Sequence, residues 1–478
     1  MGFFLDVSML LRWSGPPAGI MRVEAELARY ALDGRPDVEF VFYDARVSRF
    51  RLVLRNAIEP LLEGRLGIDI GGIPDARAVK RGPLRQLLHR FDRRLLALRR
   101  PRRFIVESIE RLRRSLPVLR AVLDPLQARF LTANYRLLLF DHAGRRRTVA
   151  PIDAVLAGDA PLDAASIVLS AGTDWNTKNP FGLRSLKAEL GFRMVMVCYD
   201  LIPFRFGSFY KERDRTVFTT YFREAVHFVD RFICASRATA RDLRDFAARE
   251  GVRQLAISIE GLGADLPRKP AGRLPASVEP KRYALYVSTI EPRKNHALLY
   301  RVWLRLLAAG IPQEHRFKLV FVGRVGWLTE ELIATFSQDR RVRGSLLHMT
   351  GIDDGTLAEL YRSAAFCLYP SAYEGYGLPI VEAFSYGRAV IASSGGSIPE
   401  VMGELGPCLD PLNEDAWFAT MAGWISDPAA VQAYEVKVAA FRAPTWRQAA
   451  ERYFAAAFDE QWAIVALNEV DPWVAKPS

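Results

Sequence analysis

The chain has 478 residues, half of them hydrophobic, and 66 Lys and Arg against 54 Asp and Glu give a formal net charge of +12. That length exceeds one ordinary core and predicts two domains, and the apolar content without low-complexity runs excludes a disordered or fibrous chain. The charge favours an anionic partner: nucleic acid, a membrane surface or a phosphorylated substrate. Cys198, Cys234, Cys367 and Cys408 are scattered, three of them in apolar runs. Buried free thiols in a reducing compartment are therefore expected, not disulfides or a metal site. MGFFLDVSML has no basic leader and Asp6 interrupts its apolar run; no apolar segment is long enough to cross a bilayer. A cytoplasmic protein is expected.

FFLDVSMLL opens as a strand, Gly15, Pro16, Pro17 and Gly19 make a loop, and residues 21 to 32 read as an amphipathic helix. VEFVFYD is the next strand. From about residue 76 to 147 leucine-type and arginine-type residues alternate at helical spacing, most densely over 80–120. This stretch reads either as a solvated insertion or as a peripheral attachment to an anionic leaflet, where each basic residue contributes on the order of 1 kcal/mol. Nucleic acid ranks below both, because no recognisable binding module accompanies the charge. Strand–helix alternation then resumes through SIVLSAGTDW, RMVMVCYDLIP, RFICASRATARDL and QLAISIEGLGADL, the pattern of a doubly wound parallel sheet. Asp200, at a strand end in this series, is either a loop or cap residue or a functional group. Residues 267–282 are proline-rich without periodicity and read as a linker between a first domain, 1–266, and a second, 283–445. The second domain opens with YALYVST and IEPRKNHALLYRVW, which places Lys294 where a helix begins, a position suited to anions. KLVFVG leads to Arg324, LLHMTG to another loop, and residues 446–478 read as C-terminal helices.

The most informative string is FCLYPSAYEGYGLPIVEAFSYGRAVIASSGGSIPE, residues 366 to 400. Its first four residues read as a buried strand, and Pro370 ends it. A loop with Glu374, Gly375 and Gly377 feeds a helix starting near Leu378, where Pro379 is tolerated in the first turn. Ile380, Val381, Ala383 and Phe384 would pack on the sheet, and Gly387 closes the helix. AVIAS is a second strand, and Ser397 with Glu400 fits a capping box for the following helix. A glycine loop before a helix N-terminus offers free N–H groups and a positive dipole end, which suits phosphate. Glu374 beside it and Glu382 one turn into the helix can hold hydroxyls on either side of a diphosphate. Two glutamates at this spacing also arise by chance; the full string is the more specific signal.

As a whole the string resembles the C-terminal signature of the group 1 retaining glycosyltransferases, whose GT-B fold pairs two α/β Rossmann-like domains across a cleft. The family's Glu-x7-Glu motif is matched by Glu374 and Glu382. The resemblance implies that Glu374 contacts the transferred sugar and Glu382 the nucleotide ribose, with Gly375, Tyr376, Gly377 and Leu378 along the sugar and diphosphate. It puts Lys294 on the diphosphate together with Arg293 or Arg324, since Ser288 and Thr289 stand where many members have arginine. Met349 to Gly351 would face the nucleotide base, the loop at Gly19 the cleft, and a C-terminal helix would cross back to the first domain. The family commonly has His-Asp where this chain has Tyr199-Asp200; a tyrosine can hydrogen-bond a sugar but cannot act as an imidazole. Glu374, Asp200 and Tyr199 are thus the catalytic candidates. With no Asp-x-Asp pair, neither metal nor other cofactor is expected, and Lys294, arginine and helix N-termini would stabilise the diphosphate. The implied reaction moves a hexose, with GDP-mannose as the expected donor, to a cell-surface polysaccharide or lipid-linked glycan, at the inner face of the cytoplasmic membrane if the basic stretch binds it. Two alternatives stand beside it: a UDP- or dTDP-sugar transferase such as a rhamnosyltransferase, and a silent GT-B scaffold that binds membrane or nucleic acid. The resemblance is strong over 283–425, extends to 1–32 and 166–266, and stops at the basic insertion.

Overall fold

Short runs of β-branched and aromatic residues become strands, and the periodic stretches between them become helices. The computed structural model describes residues 2–13, 19–70, 147–264 and 272–458. The arginine-rich stretch 80–120, residues 14–18 of the first loop, part of the expected linker and the chain after Phe458 lie outside these residues. In chain order the first strands are β1 Phe3–Asp6, β2 Val38–Asp44, β3 Arg49–Val53, β4 Leu66–Asp69, β5 Thr148–Pro151 and β6 Leu156–Asp159. There follow β7 Ile167–Ser170, β8 Arg193–Cys198, β9 Arg231–Cys234 and β10 Ala256–Ile259. The last series is β11 Tyr283–Val287, β12 Lys318–Val322, β13 Leu346–Met349, β14 Phe366–Tyr369, β15 Val390–Ser393 and β16 Cys408–Leu409.

Two compact units divide the chain. The smaller runs over Val7–Asp44 and Arg49–Ala160. In it β2 pairs antiparallel with β3 and β3 with β6, while β4 and β5 form a parallel pair. The opening strand ends at Asp6, earlier than its apolar pattern predicts, and Ser8–Arg12 is a short helix. The reason is tertiary: the Ser8 hydroxyl accepts the Tyr43 N–H at 2.8 Å, and the Glu24 carboxylate accepts the Leu10 N–H at 2.6 Å. Polar partners on both sides hold a turn where the sequence alone favours extension.

The larger unit takes Met1–Asp6, Ala45–Ser48 and Pro161–Ser478, and its own strands pair in parallel in two sheets. Within this unit the strands of the first sheet run β10-β9-β8-β7-β1, and the second sheet has the order β13-β12-β11-β14-β15-β16. The inner strands are apolar, as strands covered on both faces must be: every residue of β7, β9, β14 and β15 is buried, while the outer strands β10, β13 and β16 are only partly so. Trp303, Trp417, Tyr283 and Tyr286 are fully buried in the core around the second sheet. The expected linker is irregular where it is described, over residues 272–282.

The first sheet buries a charged cluster at the carboxyl ends of β1 and β7. Lys178 contacts Asp6 and lies 2.8 Å from Asp174, with its side chain fully buried. The Ser170 hydroxyl lies 3.0 Å from Asp6 and 2.7 Å from Asp174, within donating distance of either carboxylate, and Tyr221 donates to Asp174 at 3.3 Å. Burial works against the Lys178 charge, but Asp174 and Asp6 outweigh it and raise its pKa. Removing one member of such a cluster leaves the others uncompensated. Lys178→Met is therefore expected to destabilise the protein by about 3–5 kcal/mol, read as a fall in the urea midpoint. A midpoint within experimental error of wild type would show that the two carboxylates need no cation.

Candidate active site

In a parallel sheet ligands bind outside the carboxyl ends of the strands, at the point where strand order reverses. In the second sheet that point lies between β11 and β14. The segment after β11 folds into a 3-10 turn, Pro292–Lys294, followed by Asn295 with φ 55 and the helix His296–Ala308. The segment after β14 is the loop 370–377, which leads into the helix Leu378–Ser385. The two segments are tied together: the Ala372 N–H donates to the Arg293 carbonyl at 2.8 Å. Ser397 then fixes the loop from the segment after β15: its N–H donates to the Glu374 carbonyl at 3.0 Å, and its hydroxyl lies 2.9 Å from the Tyr376 carbonyl and 3.0 Å from that of Glu374.

That use of Ser397 overturns the expected capping box. Its side chain makes no cap to its own helix, Ile398–Met402. Glu400 instead accepts the N–H groups of Arg237 at 2.9 Å and Ala238 at 2.7 Å, capping the helix Arg237–Arg249 beside the first sheet. The carboxylate satisfies orphan donors of a different helix, which local spacing cannot reveal.

Two glycines are required by geometry. A Cβ on Gly375 would lie 2.1 Å from the Tyr199 carbonyl oxygen, so only glycine lets the loop pass this close to the first sheet. Gly377, immediately before the helix, has φ +109, a conformation that other residues rarely adopt.

The loop brings Glu374 against two cations. Arg293 Nη1 is 2.6 Å from Glu374 Oε2, and Lys294 Nζ bonds Oε1. Arg293 also donates to Glu291 at 2.7 Å and to the Tyr373 carbonyl at 2.8 Å, while its Nε is buried without a partner. Burial alone would raise the Glu374 pKa; Arg293 and Lys294 outweigh it and hold the carboxyl at about 2. Burial pulls Lys294 below the usual lysine value despite Glu374, whereas Glu374 and Glu291 keep Arg293 well above its own despite burial. His296, buried behind them, is pushed down to about 3 by burial and by the Lys294 charge, so it is neutral.

Asp200 approaches from the first sheet. Its Oδ1 accepts the Ile202 N–H at 3.0 Å, which starts the short helix Ile202–Arg205. Burial raises its pKa, opposed by the charges of Arg293 and Lys294. Asp200 is thus both a cap and a neighbour of the Glu374 cluster. Tyr199 does not direct its proton to this cluster: its buried hydroxyl donates to the Ala171 carbonyl at 2.6 Å. Glu382, half-buried one turn into its helix, accepts the Tyr361 hydroxyl at 3.1 Å.

The other sequence candidates are spread out. Of the two arginines, Arg293 stands in the cluster and Arg324 is exposed at the end of β12. Met349 ends β13 and its carbonyl accepts the Gly323 N–H at 3.0 Å; Gly351 follows with φ +68. Gly19 belongs to the smaller unit, where it precedes the helix Ile20–Gly34 with φ 56. Sequence reasoning missed Glu291, two residues before Arg293, although acid beside base in IEPRKN was a usable signal. It gave Ser397 a local cap, whereas its partners are set by the fold.

Residues 274–438 match the family described as glycosyl transferases group 1. The chain is 38% identical over 157 residues to O-antigen chain mannosyltransferase B of Escherichia coli, covering 32% of this chain and 40% of that protein. It is 30% identical over 204 residues to the MMP alpha-(1->4)-mannosyltransferase of Mycolicibacterium hassiacum, covering 42% and 46%. The chain thus spans less than half the length of these curated relatives. Anabaena HepE, solved in complex with UDP and glucose, aligns over 95% of this chain and 98% of its own with a TM-score of 0.53 and 13% identity. The shared fold is GT-B, two Rossmann-like α/β sheets.

Because the folded-state pKa of Glu374 is depressed from 4.5 to about 2, its ionisation contributes stability above pH 4.5 that is lost as pH falls towards 2. The stability gap between wild type and Glu374→Gln, measured by urea unfolding, should be constant at neutral pH and narrow between pH 4.5 and 2. A gap independent of pH over that window would mean that the ion pairs do not hold the carboxylate.

Proposed function

Taking residues 274–438 as a group 1 glycosyltransferase domain, we propose that the chain transfers a hexose from a nucleotide-sugar to a glycan acceptor with retention of configuration. The observation that carries this is Glu374, ionised between Arg293 and Lys294 at the mouth of the helix Leu378–Ser385. Preorganised charges and helix N–H groups stabilise a developing diphosphate without reorganisation at the moment of reaction. Lys294, Arg293 and the helix N-terminus fill that role, and no metal is needed for it. Glu374 orients the sugar and stabilises positive charge developing on it. Acceptor attack from the face of the departing diphosphate, with a phosphate oxygen taking the acceptor proton, needs no enzymic nucleophile. Glu382 holds the ribose.

GDP-mannose is the preferred donor, because the two curated relatives described above are named as mannosyltransferases. A UDP-hexose is the second reading, favoured by the fold shared with HepE, which was solved with UDP and glucose. A polysaccharide or lipid-linked acceptor is supported by the likeness to an O-antigen mannosyltransferase. No helix among the described residues is long and apolar enough to cross a membrane. Attachment to an anionic leaflet through residues 80–120 rests on the charge of that stretch.

Donor turnover should survive EDTA, and Glu382→Ala should weaken nucleotide diphosphate binding by about 10- to 150-fold through loss of a charged hydrogen-bond acceptor. Glu374→Gln should lower turnover without that loss of affinity. Activity abolished by EDTA and restored by Mg²⁺, or equal affinity losses in both variants, would contradict this division of roles. For the membrane, the protein should sediment with anionic liposomes at low salt and release near 1 M, where the Debye length falls to about 3 Å. Failure to sediment at low salt would reduce the basic stretch to a solvated insertion.

A further inference from the structure

Tyr373, the residue before Glu374, is held from the first sheet's side of the unit. Its hydroxyl donates to Asp242 Oδ2 at 2.6 Å, and Arg205 holds the other oxygen of the same carboxylate. Asp242 lies on the helix Arg237–Arg249 and is only 3% exposed. The Arg205 guanidinium stands over the Tyr373 ring, 5.5 Å from its centroid, and the Phe206 ring lies 5.0 Å away. On its other side the Tyr373 carbonyl accepts from Arg293 Nη1, the nitrogen that pairs with Glu374. Asp242, Tyr373, Arg293 and Glu374 therefore form one chain of contacts running from a helix beside the first sheet to the carboxylate beside the second. In the same helix Thr239 Oγ1 reaches the carbonyls of Tyr199 at 3.1 Å and Gly375 at 3.2 Å, so the loop is gripped on both sides of Glu374.

We infer that Asp242 and Tyr373 are a positioning pair, through which the first sheet's lobe sets the place of the Glu374 carboxylate and so the rate of sugar transfer. A tyrosine serving only as core would need its ring, which packs on Phe206, and not its hydroxyl. The pair's function lies in the hydrogen bond, because that bond alone ties the residue beside Glu374 to a buried, arginine-fixed carboxylate. The inference rests on the reading of Glu374 as the sugar-contacting group, and the test separates the two.

Tyr373→Phe keeps the ring and deletes the bond; Asp242→Ala and the double variant complete a cycle. With the donor that wild type turns over, Tyr373→Phe should lower kcat by about 10-fold or more, the loss of one hydrogen bond to a charged group. Donor KM and the Kd for the nucleoside diphosphate should stay within about twofold. The double variant should be no slower than the slower single variant, because both remove one interaction. Amide hydrogen exchange over peptides covering 371–378 should quicken several-fold in Tyr373→Phe, with β14 unchanged. A kcat within twofold of wild type, multiplicative losses in the double variant, or parallel losses of kcat, nucleotide affinity and Tm would overturn the pair. Should wild type turn over no donor, the proposed function falls; the pair is then judged by the exchange rates, and unchanged rates at 371–378 overturn it.

Discussion

A carboxylate buried between two cations is the constraint on which the rest of the site depends. Burying any one of these charges alone is costly, and the arrangement stands only because Glu374, Arg293 and Lys294 are buried together. The two cations come from consecutive positions after β11, and the carboxylate comes from the loop after β14, 80 residues away. The adjacency of β11 and β14 in the parallel sheet delivers both to one place. The loop must then pass close to Tyr199, which demands Gly375, and its carbonyls must be satisfied, which commits Ser397. Sequence, topology and electrostatics converge on the one residue that the proposed chemistry needs ionised.

The same constraint ties the two sheets together. Glu400 caps a helix beside the first sheet, Thr239 reaches the Gly375 carbonyl, and the Trp327 indole donates to the Phe209 carbonyl at 2.8 Å. Each contact joins a segment that follows a strand of one sheet to a segment that follows a strand of the other. The Tyr376 hydroxyl donates to the Leu262 carbonyl at 3.3 Å, just after the last strand of the first sheet. The glycine loop is therefore built from both sides, and the pre-set geometry that the proposed transfer needs is a property of the joined sheets.

Much of this architecture was legible in the sequence. The strands from β7 to β15 are short, mostly apolar runs closed by small or polar residues, and the burial of the inner ones writes that pattern directly. The start of the helix at Leu378 was legible because Gly377 and Pro379 constrain backbone dihedrals locally. What escaped was whatever depends on a distant partner. FFLDVSMLL reads as one strand because the Glu24 and Ser8 hydrogen bonds that turn it into a helix are invisible in apolar pattern. Ser397 and Glu400 have capping-box spacing, yet each is claimed by a tertiary neighbour with a stronger need. The resemblance puts Tyr199 near the sugar, but its hydroxyl donates to the Ala171 carbonyl. Asp242 and Tyr373 are 131 residues apart, and no local rule links them.

The most direct measurement of the central claim is nucleoside diphosphate release from a panel of GDP-, UDP- and dTDP-hexoses in the presence of glycan acceptors, with the product's anomeric configuration read by NMR. Release from one donor, with the sugar transferred in the donor's own configuration, is the expected result. A folded protein that binds and consumes none of these donors, or a product of inverted configuration, would contradict it.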